Sequence, residues 1–222
     1  MNTHGRPVAL NLKYDILDNT RRAMCTQLAA WKNDFYLAGG TGLALQIGHR
    51  ISEDFDLFTN RGFDNAQLLR RIEEVFHEHD IVQLQNEERT LTLMMHEVKI
   101  SFLFVEPVPV TPLLESEYFR IASVPEIGVF KLIATLRAAF KDYVDLFFIL
   151  QQYPLHDLFA LARKKYPGMD ESLYLKAMAS YDDVDLSPIQ YVRGYETAPD
   201  VIFESIRRHV DRYLKESVTG NE

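Results

Sequence analysis

Residues 50–58 read Arg-Ile-Ser-Glu-Asp-Phe-Asp-Leu-Phe, and the chemistry enters through two alternating carboxylates, Asp54 and Asp56. On a strand from Asp54 to Phe58 a period of two puts both acids on one face and Phe55 and Leu57 on the other. Carboxylates roughly 6 to 7 Å apart along a strand repel by about 2 to 3 kcal/mol at an effective dielectric near 20. A divalent cation, Mg²⁺ or Mn²⁺, cancels that repulsion, so the pair reads as a candidate metal site. Arg50 and Ser52, just ahead of the acids, are placed to orient them or to touch a phosphate.

Upstream, residues 35–41 run Phe-Tyr-Leu-Ala-Gly-Gly-Thr. The first four suit a short buried strand, and Gly39 and Gly40 permit backbone angles closed to other residues. Thr41 is then expected to cap a helix over Gly42–Ile47. A strand that feeds a glycine turn and opens a helix leaves unpaired N–H groups, which attract polyphosphate oxygens. Neither motif is specific alone. Their separation leaves room for one short helix and a turn, which brings the helix start beside the carboxylates. In haloacid-dehalogenase phosphatases and metal-binding glycosyltransferases the acidic pair closes an apolar strand, whereas here the apolar residues lie within and after the pair.

The elements that must position these groups follow from periodicity. Apolar residues from Tyr14 to Lys32 recur at helical spacing, as do those from Asn65 to His79. Ile81–Leu84, Thr90–Met95 and Val98–Val105 read as successive strands. Pro107, Pro109 and Pro112 make residues 106–114 an extended connector, and Tyr118–Ala122 reads as a last strand. Ser123-Val124-Pro125-Glu126 is a capping box in which Glu126 reaches back, opening a long apolar helix to Phe140. Asp142 and Asp145 open a second helix, and Leu155–Lys165, Glu171–Ser180 and Pro199–Lys215 each fit one more. Residues 181–197 are turn-like. The expected fold is α/β (α+β): a mixed sheet with flanking helices over residues 1–122, then a helical region over 123–222.

The 222 residues carry 47% hydrophobic and 25% charged side chains, the balance of a soluble globular protein. One cysteine, Cys25, excludes an internal disulfide and a thiolate metal cage, and fits a reducing cytoplasm. No stretch approaches the roughly 20 apolar residues of a membrane helix, and the start lacks the apolar core of a signal peptide. A net charge of −8 argues against sequence-blind nucleic-acid binding over a broad face. His77, His79 and His96 lack metal-ligand spacing and read as surface residues.

Gly39-Gly40-Thr41, a short helix, and Arg50-x-Ser52-x-Asp54-x-Asp56 together resemble the nucleotidyltransferase superfamily, most closely the AbiEii/AbiGii toxins. The resemblance is carried further by Lys131, Arg137 and Lys141-Asp142-Tyr143-Val144-Asp145-Leu146, and covers roughly residues 35 to 150. It implies that Gly39, Gly40 and Thr41 bind a nucleoside triphosphate and that Asp54 and Asp56 hold Mg²⁺. It further implies that Lys131 contacts the phosphates and that Asp142 lies in the active site. Asp145 would stand beside Asp142 or serve only as a helix N-terminal acid. The implied function is NTP-dependent nucleotidyl transfer to an RNA or protein by a toxin paired with an antitoxin. Superfamily members commonly carry a third carboxylate on a later strand, as the base. That position here is Ser101, with Glu97 as a fallback, while Asp56 or Asp142 could serve as the base instead, or the metal alone could activate the acceptor. The chain departs from the pattern there, which keeps open a nucleotide sensor or partner-binding module. The acidic composition also permits an enzyme that modifies a small cationic molecule.

Overall fold

A computed structural model of the chain describes residues 11–76 and 80–219. The element order is α1 (Asn19–Leu28), β1 (Tyr36–Leu37), α2 (Gly39–Ile47), β2 (Phe55–Thr59), α3 (Asn65–Val75), β3 (Ile81–Glu87), β4 (Thr90–Met95), β5 (Val98–Phe104), β6 (Leu114–Glu115) and β7 (Arg120–Ile121), followed by α4 (Val124–Ala134), α5 (Phe140–Leu150), α6 (Leu155–Lys165), α7 (Glu171–Ala179) and α8 (Pro199–Thr219). The strands form one mixed sheet in the order β3-β4-β5-β2-β1-β7-β6, with β2 parallel to β5, β1 parallel to β7, and the other neighbours antiparallel. This is the α/β architecture that the sequence predicts.

Strand alternation sorts the core into two clusters. Phe55 and Leu57 of β2 join Leu37, Leu91, Leu93, Ile100 and Phe102 under α1 and α3. On the other side Tyr36, Leu43 and Ile47 merge with the apolar faces of α4, α5, α6 and α8. Helix α2 contributes to both, through Ala44 and Leu45 on one side and Leu43 and Ile47 on the other. It is therefore held rigidly against β2, and the glycines at its start inherit that fixed position.

Several local readings change. The expected Tyr14–Lys32 helix is helical in α1 only over ten residues, because the Asp18 side chain caps it by accepting from Arg21 N–H (2.8 Å), with 3-10 turns at Tyr14–Ile16 and Ala29–Trp31. The helix from Ser123 does not run to Phe140. It ends at Ala134 and passes through a 3-10 turn to Ala138, whose φ of 51° breaks the run before α5. Helix α3 stops at Val75, and His77 and His79 lie outside the described residues. No helix among the described residues is long and apolar enough to cross a membrane.

Ser123 caps α4 as expected, accepting from Glu126 N–H at 3.4 Å, but Glu126 does not complete the box. Its buried carboxylate accepts from Val110 N–H (2.9 Å), Thr111 N–H (3.1 Å) and Lys165 Nζ (2.7 Å). A carboxylate with no solvent around it needs partners from the protein. These bonds fasten the proline-rich connector to α4 and α6.

Candidate active site

A cavity of about 700 Å³ opens where the start of α2, the entry to β2, Lys99 and Leu103 of β5 and the helices α4 and α5 converge. Gly39, Gly40, Arg50, Ser52, Asp54, Asp56, Lys131 and Asp142 all line it. Thr41 does not. The glycines are the first residues of α2 rather than a turn before it, and Ala38 stands at the cap position. Thr41 therefore does not cap the helix. Its buried hydroxyl donates to the Asp54 carbonyl and bonds the Ser52 hydroxyl (2.9 Å), tying α2 to the chain entering β2.

Close approach explains both glycines. Gly39 has φ +60°, and a Cβ there would fall 2.2 Å from Asp56 Oδ2. A Cβ on Gly40 would meet Arg50 Nη2 at 2.5 Å and Ser52 Oγ at 2.9 Å. A carboxylate and a guanidinium thus rest directly on the helix start, where first-turn N–H groups have no partner within the helix.

Asp54 sits just ahead of β2 rather than in it, and Asp56 is the strand's second residue. Both reach the cavity, while Phe55 and Leu57 are buried behind. Burial, and next the charge of Asp54, push the Asp56 carboxyl above its ordinary value. Asp56 pairs in register with Ser101 of β5, so the strand neighbour of the inner acid is a hydroxyl. Glu97 belongs to the tight turn before β5, with φ 61°, and does not line the cavity. Two residues before Ser101, Lys99 Nζ lies 2.7 Å from Asp54 Oδ2. Among the described residues no group of three or more His, Cys, Asp or Glu side chains is gathered to hold a metal.

Beneath the glycines lies a charged hub that sequence spacing did not reveal. Asp145, fully buried, accepts two bonds from Arg50, Nε to Oδ1 at 2.7 Å and Nη2 to Oδ2 at 2.8 Å. It also meets Lys131 Nζ at 2.6 Å and His49 Nε2 at 2.7 Å. Asp142, equally buried, takes Lys131 Nζ at 2.7 Å and Arg137 Nη2 at 2.8 Å. Burial alone would hold Asp145 neutral, but Arg50 and Lys131 outweigh it and keep the carboxyl well below the usual carboxylate range. Burial likewise opposes the charge on Lys131, and Asp145 and Asp142 overcome it, raising its pKa. Three cations face two anions, which leaves one net positive charge beside the cavity. Asp145 is thus the centre of the hub and not a helix-terminal acid, and Lys131 reaches the cavity already paired.

His49, which the sequence did not single out, is buried, and that burial pushes its imidazole below the ordinary histidine value. The lowered value favours the neutral imidazole, with Nε2–H donating to the Asp145 carboxylate. A histidine neutral in the folded chain and protonated when unfolded makes the unfolded state bind more protons. Stability is then expected to fall as pH drops below about 6.5, the ordinary histidine value, and His49→Gln is expected to flatten that slope. Urea midpoints measured from pH 7.5 to 5.5 check this. Equal slopes for both proteins would rule it out.

Residues 185–195 form a strap over the hub. Ile51 N–H donates to Gln190 O (2.8 Å), Val192 N–H to His49 O (3.1 Å), Phe140 N–H to Asp185 O (3.2 Å) and Asp185 N–H to Ala138 O (2.9 Å). The strap joins the chain before β2 to the start of α5, and its Pro188, Ile189 and Gln190 complete the cavity wall.

The family model described as "Nucleotidyl transferase AbiEii toxin, Type IV TA system" matches residues 22–216. The uncharacterised protein aq_aa25 of Aquifex aeolicus is 31% identical over 194 residues, which span 82% of this chain and 89% of that protein. A crystal structure of a proposed nucleotidyltransferase from H. pylori superposes with a TM-score of 0.63 at 17% identity, covering 93% of this chain and 99% of the other. JHP933 from Helicobacter pylori gives 0.50 at 17% identity, over 95% of this chain and 100% of its own. At these identities the two structures speak for the fold.

Proposed function

Because the chain belongs to the AbiEii nucleotidyl transferase toxin family, we propose that it is a divalent-metal-dependent nucleotidyltransferase, the toxin of a toxin-antitoxin pair, acting on an RNA or protein acceptor. A hydroxyl oxygen of the acceptor bonds to the α-phosphorus of a nucleoside triphosphate. The bond from that phosphorus to the oxygen bridging to the β-phosphate breaks, pyrophosphate leaves, and the hydroxyl proton passes to solvent. The single observation that carries this reading is the seating of the Asp56 carboxylate against Gly39, which joins the acid pair and the open helix start in one cavity.

The donor set suits Mg²⁺ or Mn²⁺, because such ions take one or two protein carboxylates when substrate phosphates and water supply the remaining oxygens. Held by Asp54 and Asp56, the ion would stabilise charge developing on the phosphoryl oxygens. The chain's own groups do the rest. N–H groups at Gly39 and Gly40, with the net positive hub behind them, bind and orient the triphosphate. Lys131 acts from within its pairings with Asp142 and Asp145. Phe58, Leu103, Phe130 and Ile133 give the cavity an apolar wall suited to a base. Asp142, with both oxygens bound to cations, positions Lys131 and Arg137 rather than taking a proton.

A second reading, a nucleotide-binding module without transferase activity, is favoured by one observation, the hydroxyl of Ser101 beside Asp56. The two separate when the full chain is incubated with each α-³²P-labelled nucleoside triphosphate, Mg²⁺ or Mn²⁺, and a mixture of total RNA and protein. Label in RNA or protein is expected. Label in a small product would instead make the acceptor a small molecule, and none anywhere would leave the binding module.

A further inference from the structure

We propose that Lys99 stands in for a second divalent cation, so that the site holds one metal ion per chain, between Asp54 and Asp56. This rests on the nucleotidyltransferase reading and sharpens it. Two-metal phosphoryl-transfer sites set their ions about 3.5 to 4 Å apart, and two such ions bring four positive charges that neighbouring carboxylates must offset. The parallel register of β2 and β5 sets Asp56 opposite Ser101 and Phe58 opposite Leu103. Alternation then puts Lys99, Ser101 and Leu103 on the face that carries Asp54, Asp56 and Phe58.

On that face the position beside Asp56 offers a hydroxyl, which bonds Thr92 Oγ1 at 3.4 Å. The position beside Asp54 offers an ammonium, 2.7 Å from Oδ2. Two carboxylates and one ammonium sum to a single negative charge, enough for one divalent ion arriving with a triphosphate. A second ion would need the Asp54 oxygen that Lys99 occupies and would lie against a like charge. Rim ion pairs are individually weak. Exclusion of a second ion therefore depends on both features together, the ammonium at 99 and the missing carboxylate at 101.

The test counts ions without relying on turnover. The full chain is saturated with the α,β-methylene analogue of ATP, GTP, CTP or UTP in turn and dialysed against Mn²⁺. Bound metal is measured by elemental analysis and electron paramagnetic resonance. One Mn²⁺ per chain with an uncoupled spectrum is expected, against two ions with a spin-coupled spectrum in the Lys99→Ala/Ser101→Asp double variant. Two coupled ions in the unsubstituted chain would overturn the proposal, as would a folded double variant that still binds one. If the double variant does not fold, the count in the unsubstituted chain decides alone. No Mn²⁺ with any analogue would remove the metal-dependent reading and the proposal with it.

Discussion

Asp56→Asn is expected to reduce nucleotidyl transfer by about 10³-fold or more, the scale of losing a group that organises transition-state charge, while the folded protein becomes no less stable. Burial and the charge of Asp54 both oppose ionisation of Asp56 in the folded state. A group whose folded pKa is raised destabilises the fold at pH values above its unfolded pKa, so a neutral isostere relieves that cost. Relief of the repulsion between the two acids is on the order of 2 to 3 kcal/mol, and burial of the charge acts in the same direction. Asn also preserves the shape packed against Gly39, where even a methyl group has no room. Incorporation of labelled nucleotide and a urea melt, made on the same preparation, check both halves. Full activity would remove Asp56 from the site. Lost activity with a large loss of stability would mean that the carboxylate serves the fold.

Asp145→Asn is expected to behave in the opposite way, costing about 3 to 5 kcal/mol of stability, because removing the anion leaves Arg50 and Lys131 buried without their counter-charge. For a chain of this size that corresponds to a fall in Tm of about 6 to 20 °C. An acid serving only a helix N-terminus contributes about 1 kcal/mol or less, so the size of the loss separates the two roles. The sign with pH follows from the depressed pKa of Asp145. Its contribution is present above the unfolded carboxyl value of about 3.9 and disappears as pH falls through the lower folded value. Thermal melts at neutral pH measure the effect, and a shift of only 1 or 2 °C would return Asp145 to the capping role.

The acid pair was legible because a period of two is a local property. Asp54 and Asp56 had to share a face once Phe55 and Leu57 were buried together. The helices from Ser123 onward were legible through their apolar stripes, which are also local, although the first ends at Ala134 and not at Phe140. The hub was not. Nothing near His49 or Asp145 indicates that they meet across 96 positions, and a lysine among Phe130, Leu132 and Ile133 looks the same whether it turns to a phosphate or to two buried acids. Thr41 misled because Ser and Thr before a helix usually cap it, whereas here the helix begins two residues earlier and the hydroxyl is spent on Ser52 and Asp54. The strap escaped because its pairing uses backbone groups, which side-chain patterns do not record.

That strap has a bearing on when a chain becomes active. Gln190 and Val192 close onto residues 51 and 49 across most of the chain's length, and Asp185 closes onto α5. Such distant closures carry an entropic cost that is met before any contact returns a gain. The cavity wall that Pro188, Ile189 and Gln190 supply is therefore expected to close late, once the last quarter of the polypeptide is available. A nascent or partly unfolded chain would carry Gly39, Gly40, Asp54 and Asp56 without the completed cavity, which would couple the proposed toxin activity to the whole fold.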